Sequence, residues 1–372
     1  MGNTQKQFFS LLCAGLWNSP ANSDLFSKDT EWEAIINMSR MQTVSGVLFD
    51  GVSKLPLGKQ PPATLLRSLF HIVVCIEQSN FLLDKCLTGI VSAINKEDIH
   101  SVLLKGQGVA RNYPNPAHRQ CGDIDIYVGD EKSAKATSVL LNIGAQQKSK
   151  TRTKRIIHED FQLGEVSIEL HLFADVTWNP FRDRKFQRWT KKHLFGDKLR
   201  TCKINETNIS LPPVNFDALY IFNHIFHHFI SIGIGLRQIC DWTLYLHTFS
   251  EHINRDDLYK DLKTFGLLKE WQVFGYIVVN NLGLPEERFP FYTNKYNISA
   301  KRVLDKILQT GNFGNYNPDR GNRPEGSISG KMHFIYFRLR WLIKLFPIFP
   351  RHVLVLYTFR LITGIYYLLK GK

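Results

Sequence analysis

The chain has 372 residues, 44% of them apolar and 22% charged, a balance that fits a folded globular protein and excludes a collagen, a disulfide-stapled scaffold and a disordered chain. A net charge of +14 points to anionic partners: nucleotide phosphates, nucleic acid or an anionic membrane. The six cysteines, at positions 13, 75, 86, 121, 202 and 240, have no CxxC or metal-ligand spacing, which argues against zinc fingers and a disulfide framework and leaves them as small buried hydrophobes in a reducing cytoplasm.

Residues 1–98 read as an N-terminal helical region. "MGNTQKQFFSLLCAGLWNSP" has too thin a basic start and no clean small-residue cleavage site for a signal peptide, so it is expected to be the first helix. It also lacks the Ser or Thr of a myristoylation signal. Trp32, Ile35, Ile36, Met38 and Met41 fall near helical spacing. Pro61 and Pro62 open a long periodic helix up to "AINK", where proline costs no hydrogen bond.

From residue 101 the period changes. "SVLLK" is a short buried strand stopped by Gly106, "QGVARNY" a short helix ended by "PNP", and "DIDIYV" alternates with period 2. A helix over "EKSAKATSVLLNIGA" follows, then "KRIIHEDFQL", Gly164 and "EVSIELHLF", the pattern of a β-hairpin. Residues 99–210 are therefore expected to form an α/β core. A helical domain over 211–310 begins after Pro212 and Pro213, with a break at Gly233 and Gly235. The Gly/Asn/Pro-rich stretch 311–330 reads as a flexible loop, and 331–372 as basic, apolar C-terminal helices. That tail carries eight Lys or Arg and no acid, and Pro347 and Pro350 interrupt it, so it is too broken to span a bilayer. Two readings stay open for it: helices packed on the body, or a segment resting on an anionic membrane surface. The fold class expected is α+β, a small mixed sheet embedded in a mostly helical protein, located in the cytoplasm or peripherally at the inner membrane face.

The chemistry concentrates in "LLKGQGVARNYPNPAHRQCGDIDIYV". Period 2 sends Asp123, Asp125 and Tyr127 to one face of their strand, and Ser167, Glu169 and His171 to one face of theirs. If the strands are neighbours with matching faces, three carboxylates converge. Such a group is costly without cations, and two Mg²⁺ ions would relieve it and clamp the oxygens of a phosphoryl displacement. Lys105 and Gly106 end a strand just before a helix, a turn suited to close phosphate approach, and Lys105 and Arg119 would neutralise a triphosphate. A D-x-D alone is weak, since it also occurs in glycosyltransferases and in solvated loops; the ordered set of strand, glycine turn, helix, Arg, D-x-D strand and later carboxylate strand is stronger.

Pocket candidates of lower rank are His171, the helical trio His224, His227 and His228, and Arg237 with Asp241 at i, i+4. Plain packing, a structural histidine and an intrahelical ion pair are their bland alternatives. "KSKTRTKR" at 148–155 carries five basic groups, which would grip a polyanionic acceptor or simply face solvent. No aromatic-basic interleaving or named motif supports specific nucleic-acid binding.

These motifs resemble the nucleotidyltransferase superfamily with the DNA-polymerase-β-like fold. More narrowly, "LLKG" at 103–106, "YPNPAHRQCGDIDIYV" at 113–128 and "IELHL" at 168–172 resemble a bacterial family of uncharacterised nucleotidyltransferases, over roughly residues 30–245. The resemblance implies that Asp123, Asp125 and Glu169 ligate metal (two Mg²⁺, with Mn²⁺ as substitute) and that Gly106 is the glycine of the turn that contacts an NTP, with Lys105 or Gln107 as the neighbours that would contact the phosphates in place of a Ser. It further implies transfer of an NMP group to an unidentified acceptor hydroxyl with release of pyrophosphate, and it leans toward surface polysaccharide metabolism. One departure stands out: Gln107 occupies the position where the superfamily usually has a phosphate-contacting Ser, which keeps open a silent nucleotide-binding or regulatory protein of the same fold.

Overall fold

The computed structural model describes residues 2–148, 157–321 and 327–369. The first helices are α1 (Asn3–Trp17), α2 (Trp32–Gln42), α3 (Ser45–Ser53) and α4 (Ala63–Lys96). The helix marked by the spacing of Trp32 to Met41 ends at Thr43, which sits at φ +54 and caps α2. Pro62 caps α4 as expected, and its 34 residues make a rod roughly 50 Å long.

A five-stranded mixed sheet follows, with strand order β1-β2-β5-β4-β3. Its strands are β1 (Val102–Leu103), β2 (Asp123–Tyr127), β3 (Gln146–Gln147), β4 (His158–Leu163) and β5 (Val166–His171). Two helices interrupt it, the single turn α5 (Gln107–Ala110) and α6 (Ser133–Asn142). β2 and β5 run parallel, with Asp123 opposite Ser167, Asp125 opposite Glu169 and Tyr127 opposite His171. The faces match as the alternation requires. Ile124, Ile126, Ile168, Leu170 and Phe161 point the other way, into a core with Leu87, Ile90 and Ile94 of α4 and Leu140 of α6. Burying each such side chain contributes about 1.5–3 kcal/mol, which fixes strand register because a one-residue slip would expose the whole row.

The span 183–211, unassigned from sequence, holds α7 (Asp183–Leu194) and a separate hairpin of β6 (Arg200–Ile204) and β7 (Thr207–Leu211). Its turn residues Asn205 and Glu206 both have positive φ, a hairpin turn written without the glycine that usually announces it. The helical domain is α8 (Val214–Ser231), α9 (Leu236–Phe249), α10 (Arg255–Phe265), α11 (Leu268–Leu282) and α12 (Asn297–Thr310). α8 and α9 break at the expected glycine pair. An aromatic core of Phe222, Trp242, Trp271 and Phe274 joins them.

Residues 311–321 are irregular but packed rather than loosely attached. A Cβ at Gly314 would lie 2.0 Å from the Ile232 carbonyl oxygen, and Asn317 is buried. The expected loop is also shorter than 311–330, since α13 (Ser327–Leu345) starts before its end and α14 (Pro350–Leu369) follows. Trp341, Leu342, Leu345, Phe349 and Val353 anchor these two helices to the body. Among the described residues no helix is long and apolar enough to cross a membrane. The cysteines are all free, but only Cys240 is buried and Cys75 is exposed, so the expectation of small buried hydrophobes holds at one position alone.

Candidate active site

The unpaired face of the β2–β5 ladder meets α8 and α9 across a cavity of about 430 Å³. Its floor is the carboxylate set: the ligand oxygens of Asp123, Asp125 and Glu169 all lie within 4.8 Å of one another. Lys105, just beyond β1, places Nζ 3.2 Å from Asp125 Oδ1. His171 Nε2 lies 3.0 Å from the same oxygen and 3.2 Å from Glu169 Oε2, while its Nδ1 reaches the Phe173 carbonyl at 3.2 Å.

These contacts set the charges. Burial disfavours an ionised Asp125, but the Lys105 ammonium and the His171 hydrogen bond outweigh it and hold the carboxyl well below the usual range. Asp123 goes the other way: the Asp125 charge, aided by burial, pushes it up to about 6. Glu169 is lowered, burial being overcome by its hydrogen bond from His171. His171 rises to about 9 against burial, because it donates to both Asp125 and Glu169, and Lys105 is raised by the surrounding carboxylates despite its burial.

Opposite the floor, α8 lines the cavity with three histidines around Asp175, a buried carboxylate that no sequence pattern marked. His224 Nδ1 lies 3.3 Å and His227 Nδ1 3.5 Å from it, and the His224 and His228 rings meet edge-on at 4.3 Å. Burial is opposed at Asp175 by the hydrogen bond from His224 and the nearby His227 ring, which keep it ionised, whereas burial lowers His224 and His228 and keeps them neutral. Arg237 lines the same wall, its Nη1 donating to the Gln120 carbonyl. Thr43, Asn312 and Phe313 complete the lining from segments remote in sequence.

Three expectations about the nucleotide turn change. Arg119 borders the cavity, but three of its guanidinium N–H groups are committed: Nε and Nη2 donate to the two oxygens of Asp241 at 2.7 Å each, and Nη1 reaches Cys121. Asp241 thus pairs with an arginine 122 residues away rather than with Arg237 on its own helix, and Tyr113 donates to it as well at 2.7 Å. Gln107 is buried outside the cavity lining, with neither amide atom hydrogen-bonded among the described residues. α5 is a single turn and too short to focus a helix dipole. Gly106 keeps its turn role, since φ +59 with ψ −121 is a backbone conformation that suits glycine alone. The basic segment 148–155 lies, beyond Lys148, outside the described residues.

The donor set fits a metal. Three carboxylates supply hard oxygens, and among the described residues the Asp123 side chain makes no hydrogen bond or ion pair. The site can therefore hold a divalent cation through Asp123, Asp125 and Glu169. The family described as uncharacterised nucleotidyltransferase matches residues 28–282. No curated protein and no solved structure matches the chain.

Proposed function

The chain belongs to the uncharacterised nucleotidyltransferase family, and from that premise we propose that it moves an NMP group from an NTP to an acceptor hydroxyl, with two Mg²⁺ ions (or Mn²⁺) held by Asp123, Asp125 and Glu169. The observation that carries this reading is the parallel pairing that sets Asp125 opposite Glu169 at the floor of a cavity. Bound there, divalent metal would neutralise the phosphate charge that develops in the transfer.

The chain's own residues supply the rest. Lys105 offers the cationic Nζ nearest the carboxylates, and Arg237 the guanidinium on the opposite wall. His224 is a neutral base whose Nδ1 is held by Asp175, leaving Nε2 to take the acceptor proton. In the step proposed, the acceptor oxygen bonds to the α-phosphorus as the bond to the bridging oxygen of the β-phosphate breaks. Pyrophosphate leaves, and the hydroxyl proton passes to His224. The acceptor we favour is a sugar phosphate or glycan hydroxyl, the class toward which the family resemblance leans.

A second reading, binding without turnover, draws support from Gln107, which stands where a phosphate-contacting Ser is expected and is buried outside the cavity lining. Labelling a host extract with α-³²P-NTP, using wild type and Asp123→Asn/Asp125→Asn, separates the two. A labelled product absent from the variant supports transfer. Equal label with both proteins removes these carboxylates from the mechanism, and NTP binding without pyrophosphate release leaves only the silent reading.

We also propose that α13 and α14 rest peripherally on an anionic membrane at the inner face. Tyr336, Arg340, Ile343 and Lys344 on α13, and Arg351, Leu354 and Tyr357 on α14, are exposed at helical spacing. Co-sedimentation with phosphatidylserine vesicles that falls with salt and is lost with neutral vesicles supports this; equal binding to both, or to neither, refutes it.

A further inference from the structure

We propose a second metal site beside the carboxylate trio: His158, Glu169 and His171 take a divalent cation of imidazole-preferring character, Zn²⁺ above all. The site is written on the β4–β5 hairpin, whose register sets His158 directly across from His171 and Asp160 across from Glu169. Period 2 puts all four side chains on one face. His158 Nδ1 lies 3.5 Å and His171 Nε2 3.2 Å from the same atom, Glu169 Oε2. All three ligand atoms fall within 4.8 Å of one another. Ligands about 2.0–2.2 Å from a tetrahedral zinc sit roughly 3.3–3.5 Å apart, so the cluster needs little adjustment.

The nitrogens turned away from this point are held as well. Nδ1 of His171 reaches the Phe173 carbonyl, and Nε2 of His158 lies 3.4 Å from Asp160 Oδ1. Metal-binding histidines almost always have such a carbonyl or carboxylate on the second nitrogen, which fixes the tautomer and aims the other lone pair at the metal. Here both second nitrogens are so occupied and both remaining ones approach Glu169 Oε2; His171 Nε2 also lies 3.0 Å from Asp125 Oδ1, and a bound cation would take the place of the proton it donates there. Two imidazoles and one carboxylate favour a borderline cation over Mg²⁺, which prefers an all-oxygen set such as Asp123, Asp125 and Glu169. Because Glu169 belongs to both groups, zinc in the second site competes for a ligand of the first. We therefore expect it to inhibit transfer, an expectation that rests on the nucleotidyltransferase reading; the binding claim does not.

The test is Zn²⁺ binding by equilibrium dialysis in excess Mg²⁺, with wild type, His158→Ala, Asp160→Asn and Asp123→Asn, each checked for folding by circular dichroism. One Zn²⁺ per wild-type chain is expected, with X-ray absorption showing two imidazole nitrogens at about 2.0 Å. Loss of a ligand in His158→Ala should weaken binding by at least about tenfold and loss of the supporting carboxylate in Asp160→Asn by about tenfold, while Asp123→Asn binds as wild type. No binding to wild type overturns the proposal, as does equal binding by His158→Ala, or equal loss in Asp123→Asn, which would put zinc on the carboxylate trio. In a transfer assay Zn²⁺ should inhibit wild type and spare His158→Ala. If zinc binds as expected but no transfer is ever seen, the metal site stands and the nucleotidyltransferase reading falls.

Discussion

Two clusters of buried charge border the same cavity and are built to opposite ends. In the first, Arg119 and Asp241 meet through two 2.7 Å hydrogen bonds, and Tyr113 supplies a third to the same carboxylate. Both oxygens of Asp241 are taken, and one positive charge answers one negative. In the second, Asp123, Asp125, Glu169 and Asp175 face Lys105 and His171, with the Asp123 carboxyl unpartnered among the described residues and pushed up to about 6. The pair satisfies the Asp241 carboxylate and ties the Arg119 loop to α9 as a strut, while two guanidinium N–H groups stay uncommitted among the described residues on a side chain that borders the cavity. An open excess of carboxylate is destabilising by itself and is retained where a cation is to be bound. Burial alone does not separate function from scaffold; the count of unanswered charge does.

That contrast can be broken most decisively at Asp123. Asp123→Asn should lower transfer by about a thousandfold or more, judged from the effect of removing groups that stabilise transition-state charge. The same change removes a repelled carboxylate, so the melting temperature should hold or rise. A large loss of stability in thermal unfolding would place Asp123 with the struts. Asp241→Ala should do the reverse. It strands the Arg119 charge in the interior and should cost about 3–5 kcal/mol in denaturant unfolding, with activity per folded molecule retained. Replacing both partners, Arg119→Met with Asp241→Leu, should recover most of that loss. If Asp241→Ala instead abolishes transfer with stability intact, the pair belongs to the site.

The pH dependence sharpens the same distinction. Asp123 titrates near 6 when folded and near the ordinary range when unfolded, so the folded state holds the extra proton between them. Its contribution to stability therefore falls as pH rises from about 4 toward 6, and in the same window protons compete with metal. Mg²⁺ should bind more tightly as pH rises to about 6 and should offset the loss of stability; in Asp123→Asn both trends should flatten. Unchanged trends in that variant would assign them to another group, such as Glu270, whose burial raises it to about 7. The smallest effect is expected at Gln107. Gln107→Met removes two unsatisfied polar atoms at nearly constant volume and should leave transfer within about twofold while slightly raising the melting temperature. A strong loss of NTP affinity would return Gln107 to the nucleotide turn.

Some of this was legible because it is written locally. Alternation in "DIDIYV" and "VSIELHL" assigned each carboxylate to a face, Pro62 began the long helix, and Gly106 marked the turn. α7 and the β6–β7 hairpin were not, since one is a short polar amphipathic run and the other turns on Asn205-Glu206 rather than Asn-Gly. Asp175 and His158 were missed for a related reason: His158 opens its strand and Asp175 lies in the irregular chain after β5, where no period distinguishes a ligand from a solvated residue.

The sequence by itself determined the α+β class and the faces on which Asp123, Asp125, Glu169 and His171 stand, because backbone geometry imposes periods of 2 and 3.6 within a few residues. Only the tertiary structure decided that β2 and β5 are parallel neighbours, that Arg119 pairs with Asp241, and that Gln107 is buried outside the cavity lining. Those choices are made between segments as far as 122 residues apart. They depend on which apolar faces pack and which buried charges must be answered, and no local pattern records either.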